Sequence, residues 1–235
     1  MKDPIGQAVK DYCINGKAND ILIESNYTSD EFIPSSYFFR NEIELPIIEK
    51  VALENFYGNI LDIGAGAGCH SIILQEKGLD VTALKISPLA CEVLISRGVR
   101  KVLNSDIYKT TNKQFDTILL LMNGTGIAGN IKGLSHLLNH LKKLLSPGGQ
   151  ILIDSSDIKY LFSEEDGSTW IDIANNNYYG EMTYIASYKD IISDPFKWLF
   201  IDFKKLKTIA QKCGYRCVKV VDGDHFDYLA MLTIN

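Results

Sequence analysis

The residues best suited to chemistry lie between Asn59 and Gly68, which reads Asn-Ile-Leu-Asp-Ile-Gly-Ala-Gly-Ala-Gly. Without side chains, Gly64, Gly66 and Gly68 permit positive φ and let a ligand approach the backbone closely. A helix expected over Cys69 to Lys77 aims its free amide ends at the same place, which suits an anionic group. Asp62 belongs to the apolar run Ile60, Leu61 and Ile63, bounded by Gly58 and Gly64 as a parallel strand buried on both faces would be. A nucleotide-like ligand fits such a strand, loop and helix.

Spacing narrows the class. The dinucleotide fingerprint G-x-G-x-x-G would place its third glycine where this chain has Cys69. The pattern here, Asp62-x-Gly64-Ala65-Gly66-x-Gly68, resembles the first motif of the class I S-adenosylmethionine-dependent methyltransferases. That resemblance implies that Asp62 helps to place the ammonium of the cofactor's methionine end, while the loop amides of Gly64, Ala65, Gly66 and Gly68 meet its carboxylate. Val81-Thr82-Ala83-Leu84-Lys85-Ile86-Ser87-Pro88 looks like the family's second motif in every feature but one. Two adjacent ribose hydroxyls are best held by a paired acceptor about 20 residues beyond the first glycine. Lys85 stands there instead, and an ammonium only donates. Losing a charge-assisted bond would weaken cofactor binding by about 1.5 to 3 kcal/mol unless another group compensates. Lys85 and Ile86 remain the cofactor contacts that the resemblance implies on this strand.

By the same resemblance, Asp106 accepts from the adenine amino group with Ile107 beside the ring, and Met122 and Asn123 lie near the transferable methyl. Methyl transfer from a sulfonium is an in-line displacement with a good leaving group, so the protein supplies alignment and, for some acceptors, a base. No obligatory triad is expected, and no catalytic residue is singled out. Tyr37, Arg40, Tyr178, Tyr179, Glu181 and His225 are the acceptor-side candidates, all in segments flanking the presumed mouth. The expected activity is methyl transfer to a small-molecule acceptor. One alternative takes Lys85 at face value, leaving a methyltransferase-like binding or scaffold protein without turnover. A phosphorylated-dinucleotide oxidoreductase would also accept a cation at the ribose position, but Cys69 in place of the third fingerprint glycine opposes it.

The elements that must position these residues follow from periodicity. Residues 1–58 are expected to form an N-terminal helical cap, from the patterns Ile5, Val9, Tyr12 and Ile43, Ile47, Ile48, Val51, Leu53. Within it, the aromatic, turn-rich segment Tyr27 to Arg40 could close over a pocket. Residues 59–154 form the cofactor-binding core, with strands at Leu79 to Ile86, Lys101 to Leu103, Phe115 to Met122 and Gln150 to Asp154 after the glycine strand. Residues 155–202 depart from the alternation and are expected to insert a hairpin or lid: Asn175, Asn176 and Asn177 precede Tyr178 to Lys189, where Met182, Tyr184, Ala186 and Tyr188 alternate. Residues 203–235 contribute a helix ending at Gly214, then strands over Tyr215 to Val221 and Tyr228 to Ile234. The whole predicts one α/β domain with a doubly wound, mostly parallel seven-stranded Rossmann-like sheet and an antiparallel last strand.

Composition sets outer bounds. The chain has 235 residues, 46% of them hydrophobic, enough for one domain with a full core. A formal net charge of −5 opposes a broad phosphate-backbone footprint, so nucleic acid is not an expected partner. Lys204, Lys205, Lys207 and Lys212 are expected on a solvated helix face. Cys13, Cys69, Cys91, Cys213 and Cys217 are odd in number and lack paired C-x-x-C spacing, so neither a disulfide framework nor a metal site is expected, and a reducing cytoplasm suits them. No run is long enough to span a bilayer. Nothing in the pattern encodes the oligomeric state.

Overall fold

The computed structural model describes residues 2–162 and 178–234. In chain order the elements are α1 (Pro4–Asn15), β1 (Ile21–Ser25), β2 (Glu31–Ile33), α2 (Ile47–Ala52), β3 (Asn59–Ile63), α3 (Cys69–Glu76), β4 (Asp80–Lys85), α4 (Pro88–Ser96) and β5 (Lys101–Asn104). Then follow β6 (Phe115–Leu120), α5 (Ile131–Leu141), β7 (Leu145–Ser156), β8 (Glu181–Tyr188), β9 (Ile191–Ile192), β10 (Phe196–Leu199), α6 (Phe203–Lys212), β11 (Tyr215–Asp222) and β12 (Asp227–Ile234).

Seven strands form the main sheet in the order β11-β12-β7-β6-β3-β4-β5. From β7 to β5 the pairing is parallel, and β12 runs antiparallel to both β7 and β11. This is the sheet the sequence predicts. Its strands read as unbroken apolar runs because both faces are covered. Leu61, Ile63, Ile118, Leu120, Ile151 and Ile153 pack on one side with Leu134, Leu138 and Leu141 of α5 and Leu206 of α6. The intervening Ile60, Leu119 and Leu152 pack on the other side with Ile48 and Ala52 of α2 and Ile73 and Leu74 of α3. Strand order reverses between β3 and β6, and in such a sheet a ligand crevice forms outside the carboxyl ends at that point.

The N-terminal region differs from the all-helical cap expected. Alongside α1 and α2 it carries β1 and β2, and β1 pairs antiparallel with β8, Leu22 opposite Ser187 and Ser25 opposite Tyr184. The expected inserted hairpin is likewise part of something larger: β10, β8, β1 and β2 form one antiparallel sheet with β9 attached to β8. The helical periods at Ile5 and Ile47 were real, but Ile21 to Ser25 is too short for a period to separate strand from helix without its partner. Along β8, Met182, Ala186 and Tyr188 are buried while Tyr184 is half-buried, because α1 and β1 cover that face. Asn175, Asn176 and Asn177 lie outside the described residues.

Candidate active site

Gly64, Gly66 and Gly68 have φ of 80°, 56° and 92°, a left-handed region that side chains rarely adopt. Gly68 opens α3, and no side chain caps that helix, so its first-turn amides face the loop without a side-chain acceptor. A Cβ on Gly66 would lie 3.6 Å from Phe38, so the aromatic turn at 35–39 roofs the loop. Beneath it, Ala67 packs with Val9 of α1 and Val93 of α4, and the Arg97 guanidinium donates to the Ala67 carbonyl at 2.5 Å. Asp62 is 2% exposed, and Ser71 Oγ donates to its Oδ2 at 2.6 Å. Burial raises its pKa, and its visible work is to tie the strand to the first turn of α3.

At the end of β4, Ile86 is 51% exposed, an open apolar face beside the loop. The Lys85 carbonyl accepts from Ser105 N, and Asn104 Nδ2 reaches the carbonyls of both Lys85 and Ile86, which locks β5 to this rim. Asp106 accepts from Tyr108 N at 2.9 Å and keeps its second oxygen uncommitted among the described residues. Ile107 is buried in the main core, and its carbonyl lies 2.9 Å from His140 Nε2. The position beside Asp106 packs inward because it starts the turn at 107–109 that covers the α5 face of the sheet.

Opposite the glycine loop, β6 runs into Met122 and Asn123, with φ of 65° and 57°. Two successive non-glycine residues in the left-handed region cost energy and persist only where the surroundings over-determine them. Asp154, at the end of β7, supplies that constraint. Its Oδ2 accepts from Asn123 N at 3.1 Å and its Oδ1 from Gly124 N at 2.8 Å. Burial pushes its pKa up to about 7, the two amides pulling the other way. Ser156 Oγ donates to Asn123 Oδ1 at 3.0 Å, fixing the side chain as well. Apolar periodicity marks Asp154 only as a strand end; the signal for its role is a carboxylate closing an otherwise apolar strand at the ligand rim.

The acceptor-side candidates divide. Tyr37 is 39% exposed, and its ring stacks under the Arg40 guanidinium at 3.9 Å. Arg40 is no free contact: its Nη2 donates to both oxygens of Glu49 at 3.0 Å, with His70 Nε2 2.6 Å from Glu49 Oε2, all three side chains 9% exposed or less. Burial works against ionising this cluster. For His70, the Cys69 and Glu49 hydrogen bonds and the Asp62 charge outweigh it and raise the pKa; for Glu49, His70 and Arg40 outweigh it and lower the pKa. Glu49, Cys69 and His70 place one possible ligand atom each within 4.8 Å, but the Arg40 cation on both Glu49 oxygens opposes a metal ion there.

The other candidates are engaged elsewhere. Tyr178 donates to Asp202 Oδ2 at 2.7 Å, Tyr179 to Asp157 Oδ1 at 2.6 Å, and Glu181 accepts from Ile131 N at the start of α5. His225 lies exposed in the turn between β11 and β12, its amide donating to Asp227. That turn shares the rim, since Asp227 pairs with Ser156 at the end of β7. The structure sets the 35–39 turn that carries Tyr37 over the glycine loop through Phe38, ties Asn123 to β7 through Asp154, and places His225 on the same rim but at the β11 edge of the sheet, away from β3.

A family model described as a methyltransferase domain matches residues 61–153. The chain is similar to a solved S-adenosylmethionine-dependent methyltransferase from Bacteroides fragilis in complex with S-adenosyl-L-homocysteine. The two share 42% identity over 99% of this chain and 95% of that one, with a TM-score of 0.93. Likeness in fold alone extends to the sugar N-methyltransferase KedS8 from Streptoalloteichus, at 17% identity, 90% and 97% coverage and a TM-score of 0.61. It extends also to an S-adenosylmethionine-dependent methyltransferase from Clostridium acetobutylicum, at 14% identity, 80% and 89% coverage and a TM-score of 0.57. A comparison with curated proteins finds no match.

Proposed function

The chain belongs to the S-adenosylmethionine-dependent methyltransferases, and on that footing we propose that it methylates a small molecule entering between the glycine loop and the Met122–Asn123 turn. Its cofactor is S-adenosylmethionine, which supplies an electrophilic methyl on a sulfonium. The residues present fit that molecule. A left-handed glycine loop with uncapped helix amides suits a carboxylate tail, Ile86 offers an apolar face for a flat ring, and Asp106 keeps an oxygen for an amino group. In this reading Gly64, Ala65, Gly66 and Gly68 hold the methionine end, with Asp62 ordering the loop through Ser71. Asp106 and Ile86 hold the adenine, and Met122 and Asn123 border the reacting carbon.

The observation that carries the proposal is the clamped left-handed pair at the end of β6, strain that Asp154 maintains where the strand order reverses. Rigid placement there favours rate by alignment, the main contribution a protein can make to an in-line displacement. Phe38 over Gly66 and Trp198 of β10 against Gly126, in the turn after β6, crowd the rim, which supports a small acceptor over a macromolecule. Tyr37 is the half-open polar group placed to meet that acceptor. Five free cysteines are compatible with a cytoplasmic location, which we include in the proposal, and no helix among the described residues is long and apolar enough to cross a membrane. Mass spectrometry of the natively purified protein should find retained S-adenosylmethionine or S-adenosylhomocysteine. Incubation of the labelled cofactor with pooled small metabolites should then transfer label to a low-mass product; transfer to protein or nucleic acid instead would overturn the acceptor class.

A further inference from the structure

Lys85 ends β4 directly beside the glycine strand, one step past the pair Ile63 and Leu84. Its ammonium makes no hydrogen bond or ion pair among the described residues, though Asp3, Asp62 and Cys91 all act on its charge and burial opposes it. A partly buried, unpaired cation at a ligand rim needs a partner, since desolvating an ammonium is costly. The acid acting most strongly on that charge is Asp3, at the N-terminal start of α1. Asp3 caps α1, its Oδ1 accepting from Gly6 N at 2.8 Å, and its Oδ2 accepts from the hydroxyl of Ser87, two residues beyond Lys85. Gly6 permits that approach, because a Cβ there would overlap both the Asp3 carboxylate and Ser87 Oγ. Each Asp3 oxygen still has an unused lone pair, and the residue is only half-buried.

We propose that Lys85 and Asp3 together bind the two ribose hydroxyls of the cofactor, the ammonium donating to one and the carboxylate accepting from the other. This rests on the methyltransferase reading of the cleft. A vicinal diol both donates and accepts, so one cation and one anion satisfy it as fully as a single carboxylate accepting twice. The end of the second strand is where a ribose lies in doubly wound nucleotide sites. The acceptor missing from position 85 is thereby returned by the N-terminal helix, and α1 becomes part of the cofactor site.

Calorimetry with S-adenosylhomocysteine and its 2′-deoxy and 3′-deoxy forms tests this on the full chain. The unmodified protein should bind each deoxy form about tenfold more weakly than the parent. Lys85→Met should lose about tenfold for the parent and become indifferent to one missing hydroxyl. Asp3→Ser, which keeps a helix cap but removes the carboxylate, should become indifferent to the other. Lys85→Asp should bind worst, because it sets a third acid beside Asp3 and Asp62. Parent-like affinity in Lys85→Met, or tighter binding in Lys85→Asp, overturns the proposal and leaves the methyltransferase reading standing. Failure of the unmodified protein to bind S-adenosylhomocysteine at millimolar concentration overturns that reading itself.

Discussion

A carboxylate that accepts two backbone amides while buried is an expensive way to make a turn, and Asp154 does this for Asn123 and Gly124. The cost is understandable if the turn must hold reacting groups in register. Gly66 makes the same argument from the opposite wall. With φ of 56° and Phe38 overhead, Gly66→Val should abolish cofactor binding in calorimetry while the circular dichroism spectrum stays unchanged. Asp106→Ala should retain the fold and lose about tenfold in affinity, through one charge-assisted bond to the adenine end. Unchanged affinity in both variants would remove the site assignment. Glycines at alternate positions were legible in the sequence because their meaning is local. Asp154 was not, because its role depends on β6 lying beside β7.

Elements of the second sheet meet the core at the turn that follows β6. Trp198 of β10 lies flat against Gly126, where any Cβ would overlap the indole, and Thr125 Oγ1 donates to the Leu199 carbonyl at 2.9 Å. Gly126→Ala should therefore lower stability by about 1 to 3 kcal/mol in denaturant melts and raise the KM for cofactor more than a comparable surface change. The Arg40, Glu49 and His70 cluster joins the roof over the loop to α2 and α3. Glu49→Gln leaves two buried cations without their acid and should cost about 3 to 5 kcal/mol in the same melts. Apolar periodicity located α2 and α3 but is silent on charged residues that become buried only when three separate segments converge. Arg40 was accordingly expected at the acceptor, whereas its guanidinium is spent on Glu49.

At the scale of the whole molecule these buried charges set a pH dependence. His70 has a raised pKa in the folded state, so its contribution is complete below its ordinary 6.5 and is lost as pH rises through the folded value. Asp154, raised from 3.8 to about 7, contributes fully at low pH and ever less as pH rises toward about 7. Glu49 acts oppositely, its contribution present above 4.5 and lost as pH falls through its lowered value. Melting temperature should fall as pH is raised from about 5 to about 8, and Asp154→Asn should flatten that slope. By itself the sequence determined the glycine loop and a doubly wound, mostly parallel seven-stranded sheet with an antiparallel last strand. Apolar runs buried on two faces and glycines at sharp turns are local signals, written within a few residues. Tertiary structure alone decided that β1 and β2 join β8 and β10, that Arg40 is locked to Glu49, and that Asp3 reaches the end of β4. Those pairings link residues far apart in the chain, and no local period records which distant group will satisfy a strand edge or a buried charge.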